Sequence, residues 1–209
     1  MSVPAVPSIA VVGSGPSGFY AVDGLLRALP GCRIDIIDRL TTPYGLVRLG
    51  VAPDHQGTKA VARQFERLAL KPGVRFLGNV ELGSDLTLGE LRAHYDAVVI
   101  ATGAPRDRRL DIPGEDLPGV FGSGKFVGWY NGHPDNAMLD VRLPGHAVAV
   151  IGNGNVAIDL VRVLAKTPEE MQASDLCDHA AQVIHAASLT DIYMIGRRGP
   201  IEASFTSGE

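Results

Sequence analysis

The chain opens one pattern twice. SIAVVG (Ser8 to Gly13) is a short apolar run that ends in Gly13-Ser14-Gly15-Pro16-Ser17-Gly18, and a segment of helical period follows. The pattern restarts 139 residues later. HAVAVIG (His146 to Gly152) runs into Gly152-Asn153-Gly154-Asn155-Val156-Ala157 and a second helical segment. In such a unit the first glycine permits a tight turn and the second lets a pyrophosphate approach the backbone. The third, or an alanine, lets the helix pack on the strand. The exposed N–H groups and the helix dipole then hold the phosphates. Two copies this far apart predict two dinucleotide-binding modules, not a short solenoid repeat.

The rest of the chain alternates in the same way. RIDIID (Arg33 to Asp38), VRFLGNVEL, DAVVIATG (Asp96 to Gly103) and DIYMIG (Asp191 to Gly196) read as strands, DAVVIATG as a buried one. SGFYAVDGLLRAL reads as a helix with Phe19, Leu25, Leu26 and Leu29 inward. KAVARQFERLAL, DLTLGELRAHY (with Asp85 as N-cap), AIDLVRVLA and EEMQASDLCDHAAQVIHAA read as further helical stretches. This alternation predicts an α/β fold of two Rossmann-like modules with three-layer parallel sheets and right-handed crossovers. Residues 1–103 would form the first module and residues 104–209 the second. From Ala104 to Gly145 the chain is rich in Pro, Gly and Arg and reads as a linker with functional loops. The second module has few elements before SFTSGE, so a chain truncated at its C-terminus is expected.

Composition removes several classes. Lys and Arg total 19 against 23 for Asp and Glu, a net charge of −4, which argues against a basic surface for nucleic acid. Cys32 and Cys177 form neither a disulfide framework nor a C-x-x-C pair, which fits a reducing, cytoplasmic setting. No apolar run approaches the ~18 residues of a membrane span. The N-terminus lacks the cationic region of a signal peptide.

The two turns are followed by different charges. Asp38 ends the strand after the first, 20 residues beyond Gly18, where a carboxylate accepts hydrogen bonds from an adenosine ribose. Arg197 and Arg198 follow the strand after the second, and guanidinium forks match a 2′-phosphate. The plainer alternatives are a solvent-facing aspartate and a solvated basic pair. An acidic first site and a basic second one suggest a bound flavin and a visiting NADP(H). Thr102 and Gly103, ending the strand Ala101-Thr102-Gly103, belong with the first site. The chemistry would be hydride transfer from C4 of the nicotinamide to N5 of the flavin.

The segments GSGPSGFYA, PYGLVRLGVAPDH, FLGNVELG, IPGEDLPGVF, FVGWYNGHP, IGNGNVAIDL and IGRRGPIEASFT run in order along the whole chain. With them the chain resembles the adrenodoxin reductase family and its bacterial ferredoxin–NADP reductase relatives. PYGLVRLGVAPDH and GRRGP are more specific than either glycine motif. The resemblance implies a ferredoxin–NADP(+) reductase type of enzyme, with FAD, moving electrons between NADPH and a ferredoxin-type iron–sulfur protein. By the same resemblance Gly13, Gly15, Ser17 and Gly18 would meet the FAD pyrophosphate and Asp38 the adenosine ribose. Leu46 would contact the flavin through its backbone, and Leu82 would lie near the adenine. Gly152, Asn153, Gly154, Asn155 and Val156 would hold the NADP pyrophosphate, with Arg197 and Arg198 on the 2′-phosphate. Arg108 would reach NADP from the loop between modules, and Glu209 falls on an acidic position near the nicotinamide. His55 matches a histidine near the flavin that handles protons, and a group titrating near neutrality suits that role. From spacing alone it is more readily a structural histidine. Asp159 would orient such a relay or simply pack as a satisfied carboxylate.

Members of that family are much longer than this chain, and their C-terminal half completes the FAD domain. Asp38 stands where glutamate is more common. A truncated, non-catalytic nucleotide-binding fragment is therefore the alternative reading. Thioredoxin and dihydrolipoamide reductases need a redox cysteine pair, and glutamate-synthase-like relatives a cysteine-rich segment ahead of the first strand; neither is present.

Overall fold

The computed structural model describes residues 6–197 and 199–206. It divides into two compact units: residues 6–48 with Gly57–Ala104, and Leu49–Gln56 with the described residues from Pro105 onward.

The first unit is a four-stranded parallel sheet. Its strands are β1 (Ser8–Val12), β2 (Arg33–Asp38), β3 (Val74–Gly78) and β4 (Ala97–Ile100), in the spatial order β3-β2-β1-β4. Alternation along each strand sends side chains to opposite faces. Ile9, Val11, Ile34, Ile36 and Val74 pack on one face with Phe19 and Val22 of α1 (Pro16–Ala28) and with Phe65 and Leu68. Ala10, Val12 and Ile37 face the other way, against Leu91. Helices thus cover both faces of this sheet. The chain leaves the unit through α2 (Leu46–Leu49) and re-enters through α3 (Gln56–Lys59). α4 (Ala62–Ala69) carries Phe65 and Leu68, and α5 (Leu88–His94) carries Leu91.

In the second unit α6 (Ser123–Tyr130), α7 (Asn155–Ala165) and α8 (Asp178–Ala186) share one apolar cluster with the parallel pair β5 (Ala147–Ile151) and β6 (Asp191–Ile195). Val148 pairs with Ile192 and packs with it on that cluster. Their neighbours Ala149, Ile151, Tyr193 and Ile195 occupy the opposite, exposed face.

Several expectations need correction. β4 is not buried, because it lies at the sheet edge: Ala97 and Ile100 are exposed. Leu29 does not point inward; it follows the last turn of α1 as its C-cap and is exposed. Asp85 does not cap α5. Its carboxylate accepts from the Glu81 N–H at 2.8 Å, closing a turn upstream, while Thr87 and Glu90 form a reciprocal capping box. KAVARQFERLAL is broken at Ala60 and Val61 between α3 and α4. Of the stretch 169–187 only α8 is helical. The supposed linker holds α6, whose Phe126 to Tyr130 are all buried. Asp107 fixes that helix by accepting from the N–H groups of Gly124 and Lys125 at 2.8 and 3.1 Å.

Candidate functional site: two glycine turns

In the first unit Gly13 has φ +108°, and a Cβ there would lie 2.2 Å from the Ala101 carbonyl oxygen. Its N–H donates to the Ile37 carbonyl at 2.8 Å. A Cβ on Gly18 would stand 2.0 Å from the Gly13 carbonyl, so the helix abuts the turn with no room for a methyl group. Gly15 is the N-cap of α1, and no side chain caps that end. Pro16 has no N–H and the Phe19 N–H bonds the Gly15 carbonyl, so the N–H groups of Ser17 and Gly18 are the ones left for another acceptor. Ser17 is exposed in the first turn of α1, and Thr102 and Gly103 (φ +72°) are exposed just past β4.

Asp38 is turned toward this turn. Its Oδ2 accepts from the backbone N–H and hydroxyl of buried Ser14 at 2.7 and 2.6 Å, and its Oδ1 accepts from the Leu40 N–H at 2.9 Å. The carboxylate therefore braces the turn as well as standing at the end of β2. Nothing in the sequence pattern signalled that second job.

Residues 43–45 close over the same turn. Tyr44 has φ +87°, a strained conformation for a bulky residue that costs of order 1–3 kcal/mol. It is held by its N–H bond to the Ser14 carbonyl at 2.9 Å, by rings Phe19 and Phe65, and by the Arg48 guanidinium 5.5 Å from its ring centre. A Cβ on Gly45 would lie 2.8 Å from the Gly15 Cα. Leu46 follows with an exposed side chain, whereas Leu82 is half-buried in the cluster behind the sheet.

In the second unit Gly152 has φ +138° and donates to the Ile195 carbonyl at 2.9 Å. A Cβ there would meet the Ala157 Cβ at 3.6 Å, ordinary contact, which is why this turn accepts an alanine in its third place. Gly154 caps α7, again with no side-chain cap, and Val156 is exposed in the first turn. The chain after β6 folds back over the turn. The Ser204 N–H donates to the Asn153 carbonyl at 3.1 Å, and the Thr206 N–H donates to Asn155 Oδ1 at 2.9 Å. A cavity of about 260 Å³ is lined by Asn153, Arg197, Glu202 and Ser204. Glu202 and Ser204 were not singled out from the sequence, and no motif marks them. Arg108 is exposed in the loop before α6. Arg198 and Glu209 lie outside the described residues.

His55 sits in the second unit's ionic cluster. Its Nδ1 is 3.8 Å from Asp159 Oδ1. Arg162 donates to Asp159 at 2.5 Å and to both oxygens of Asp54 at 2.7 and 3.1 Å; Lys166 Nζ reaches Asp54 at 2.7 Å. Burial pushes the Asp54 carboxyl up, but the hydrogen bonds from Arg162 and Lys166 outweigh it and hold it far below the usual carboxylate range. Burial, then the charges of Asp159 and Asp54, raises the Tyr130 phenol well above its ordinary value. Its buried hydroxyl has no hydrogen-bond partner among the described residues.

Cys32 is buried in the first unit and Cys177 stands at the N-cap of α8 in the second; neither forms a disulfide. Among the described residues no group of His, Cys, Asp and Glu is set to hold a metal ion, and no helix is long and apolar enough to cross a membrane. What the geometry repeats is a strand, a glycine turn with its first glycine at positive φ, and a long helix with an uncapped start.

The chain belongs to the pyridine nucleotide-disulphide oxidoreductase family. The match runs over residues 7–194. It is 49% identical over 203 residues to the mitochondrial NADPH:adrenodoxin oxidoreductase of Arabidopsis thaliana, covering 96% of this chain and 42% of that one. It is 46% identical over 206 residues to the NADPH-ferredoxin reductase FprA of Mycobacterium tuberculosis, covering 96% and 45%. The structure of that FprA in complex with NADPH matches with a TM-score of 0.93, over 97% of this chain and 46% of that one. The chain thus spans less than half the length of these relatives.

Proposed function

We propose that the first unit holds FAD, the second holds NADP(H), and the chain serves electron transfer between NADPH and a ferredoxin-type iron–sulfur protein. The observation that carries this is the pair of helix starts capped by glycine, each behind a turn whose first glycine has a positive φ that side chains rarely adopt. The donor chemistry fits two pyrophosphates. The likeness to adrenodoxin and ferredoxin reductases supplies the acceptor class. A flavin bound there would supply the exchange between two-electron hydride chemistry and single-electron transfer.

The chain's own residues then have distinct tasks. The α1 start, with Gly13, Gly15, Ser17 and Gly18, binds a pyrophosphate, and Asp38 offers its remaining lone pairs to a ribose. Thr102, Gly103, Leu46 and Leu82 bound the same ligand. Gly152, Asn153, Gly154, Asn155 and Val156 bind the second pyrophosphate, Arg197 and Arg198 the 2′-phosphate, and Arg108 assists. His55, 3.8 Å from Asp159, is assigned the handling of a proton, and Glu209 is assigned by the family resemblance the role of an acid toward the nicotinamide. Cysteines in both units that form no disulfide suit a reducing, cytoplasmic setting.

The visible spectrum of the purified chain, taken before and after FAD and then NADPH, tests the reading. Flavin bands near ~450 nm that bleach with NADPH are expected from such a cofactor site. A colourless protein that ignores added FAD would overturn activity for this chain and leave the non-catalytic fragment.

A further inference from the structure

The geometry points to Glu202 as a specificity-determining residue, whose carboxylate shares the Arg197 cavity and weakens the second unit's preference for a nucleotide bearing a 2′-phosphate. This rests on the proposed NADP(H) site and goes beyond it.

Arg197 lies just past β6, and Glu202 closes the turn that follows, its N–H donating to the Gly199 carbonyl at 3.1 Å. The carboxylate folds back over that turn: a Cβ on Gly199 would stand 3.2 Å from Glu202 Oε2. Ser204 pins the return segment by its N–H bond to the Asn153 carbonyl. Asn153, Arg197, Glu202 and Ser204 thus form the walls of one cavity of about 260 Å³, an anion and a cation among them.

The two charges act oppositely on a guest. A guanidinium attracts phosphate, and a carboxylate on the same wall repels it, most strongly when it carries two negative charges. A plain ribose hydroxyl behaves differently, because it donates a hydrogen bond to a carboxylate. Glu202 therefore penalises the phosphorylated ribose and favours the unphosphorylated one. The effect is electrostatic and partly exposed to solvent, so salt must weaken it.

The test is calorimetric binding of 2′,5′-ADP and 5′-ADP to the full chain and to its Glu202→Gln, Glu202→Asp and Arg197→Ala variants. Glu202→Gln should tighten 2′,5′-ADP by roughly three- to tenfold at low salt and leave 5′-ADP unchanged or weaker. Raising the salt from about 50 to about 500 mM should shrink that gain, and Glu202→Asp should retain most of the penalty. If Arg197→Ala abolishes a 2′-phosphate preference that Glu202→Gln leaves untouched, the role of Glu202 is overturned and the NADP(H) site stands. If the full chain and every variant bind both nucleotides equally, or bind neither, the site and the role of Glu202 are overturned together.

Discussion

Gly18 and Ala157 hold the same place in the two turns and face different neighbours. A methyl on Gly18 would overlap the Gly13 carbonyl, whereas Ala157 rests 3.6 Å from the position a Cβ would take on Gly152. Gly18→Ala should therefore destabilise the first unit by about 3 kcal/mol, since the helix must move off the strand. Ala157→Gly should cost only about 1 kcal/mol of helix propensity. Urea unfolding of both variants checks this, and equal losses would sink the argument. The glycine spacing was legible because backbone clearance leaves few residue choices. Asp38 was legible as a strand-end acid, but its bonds to Ser14 were not, because the side chain's direction depends on the loop that follows. Glu202 carried no signal at all; its place comes from a turn read only in three dimensions.

The elements that read well from sequence are those whose burial is one-sided or total for a simple reason. β1 appeared as an apolar run because helices cover both faces of its sheet, and in β2 only Asp35, paired with Arg75, interrupts Ile34, Ile36 and Ile37. α6 was missed for the converse reason: five successive buried residues leave no polar face to show a helical period. The segment Leu49–Gln56 was equally opaque. Its Asp54 meets Arg162 and Lys166, 108 and 112 residues away, and no local spacing records that. Asp54 also gives that segment a pH dependence. Its folded carboxyl titrates below the unfolded one, so acid protonates the unfolded chain first. Its stabilisation is present above the unfolded value of ~3.9 and is lost as pH falls toward the lower folded value. Asp54→Asn should cost about 3 kcal/mol at pH 7, with Arg162 left short of a partner. The gap from the parent protein should narrow as unfolding is measured from pH 5 downward. A gap constant to pH 3 would refute the assignment. Asp35, buried yet held low by the Arg75 and Tyr95 hydrogen bonds, adds acid sensitivity of the same sign in the first unit.

At the scale of the molecule, the second unit is not one continuous stretch. Ala52 belongs to its apolar cluster, the Val51 carbonyl accepts from Asn131, and the Pro53 carbonyl accepts from the Asp175 N–H at 3.1 Å. A fragment of residues 105–209 should therefore melt less cooperatively than the full chain, with a deficit of about 3–5 kcal/mol from the broken ion pairs alone. Circular dichroism melts decide it, and a fragment as stable as the parent would refute the dependence. The uncovered face of β5 and β6 has a different consequence. Ile151 and Tyr193, 63% and 56% exposed, sit on an apolar ribbon beside strand edges that have no strand partner among the described residues. Such a ribbon is adhesive between copies. In the laboratory this protein should behave as a concentration-limited reagent, clear when dilute and turbid when crowded, with its yield set by colloidal loss more than by unfolding.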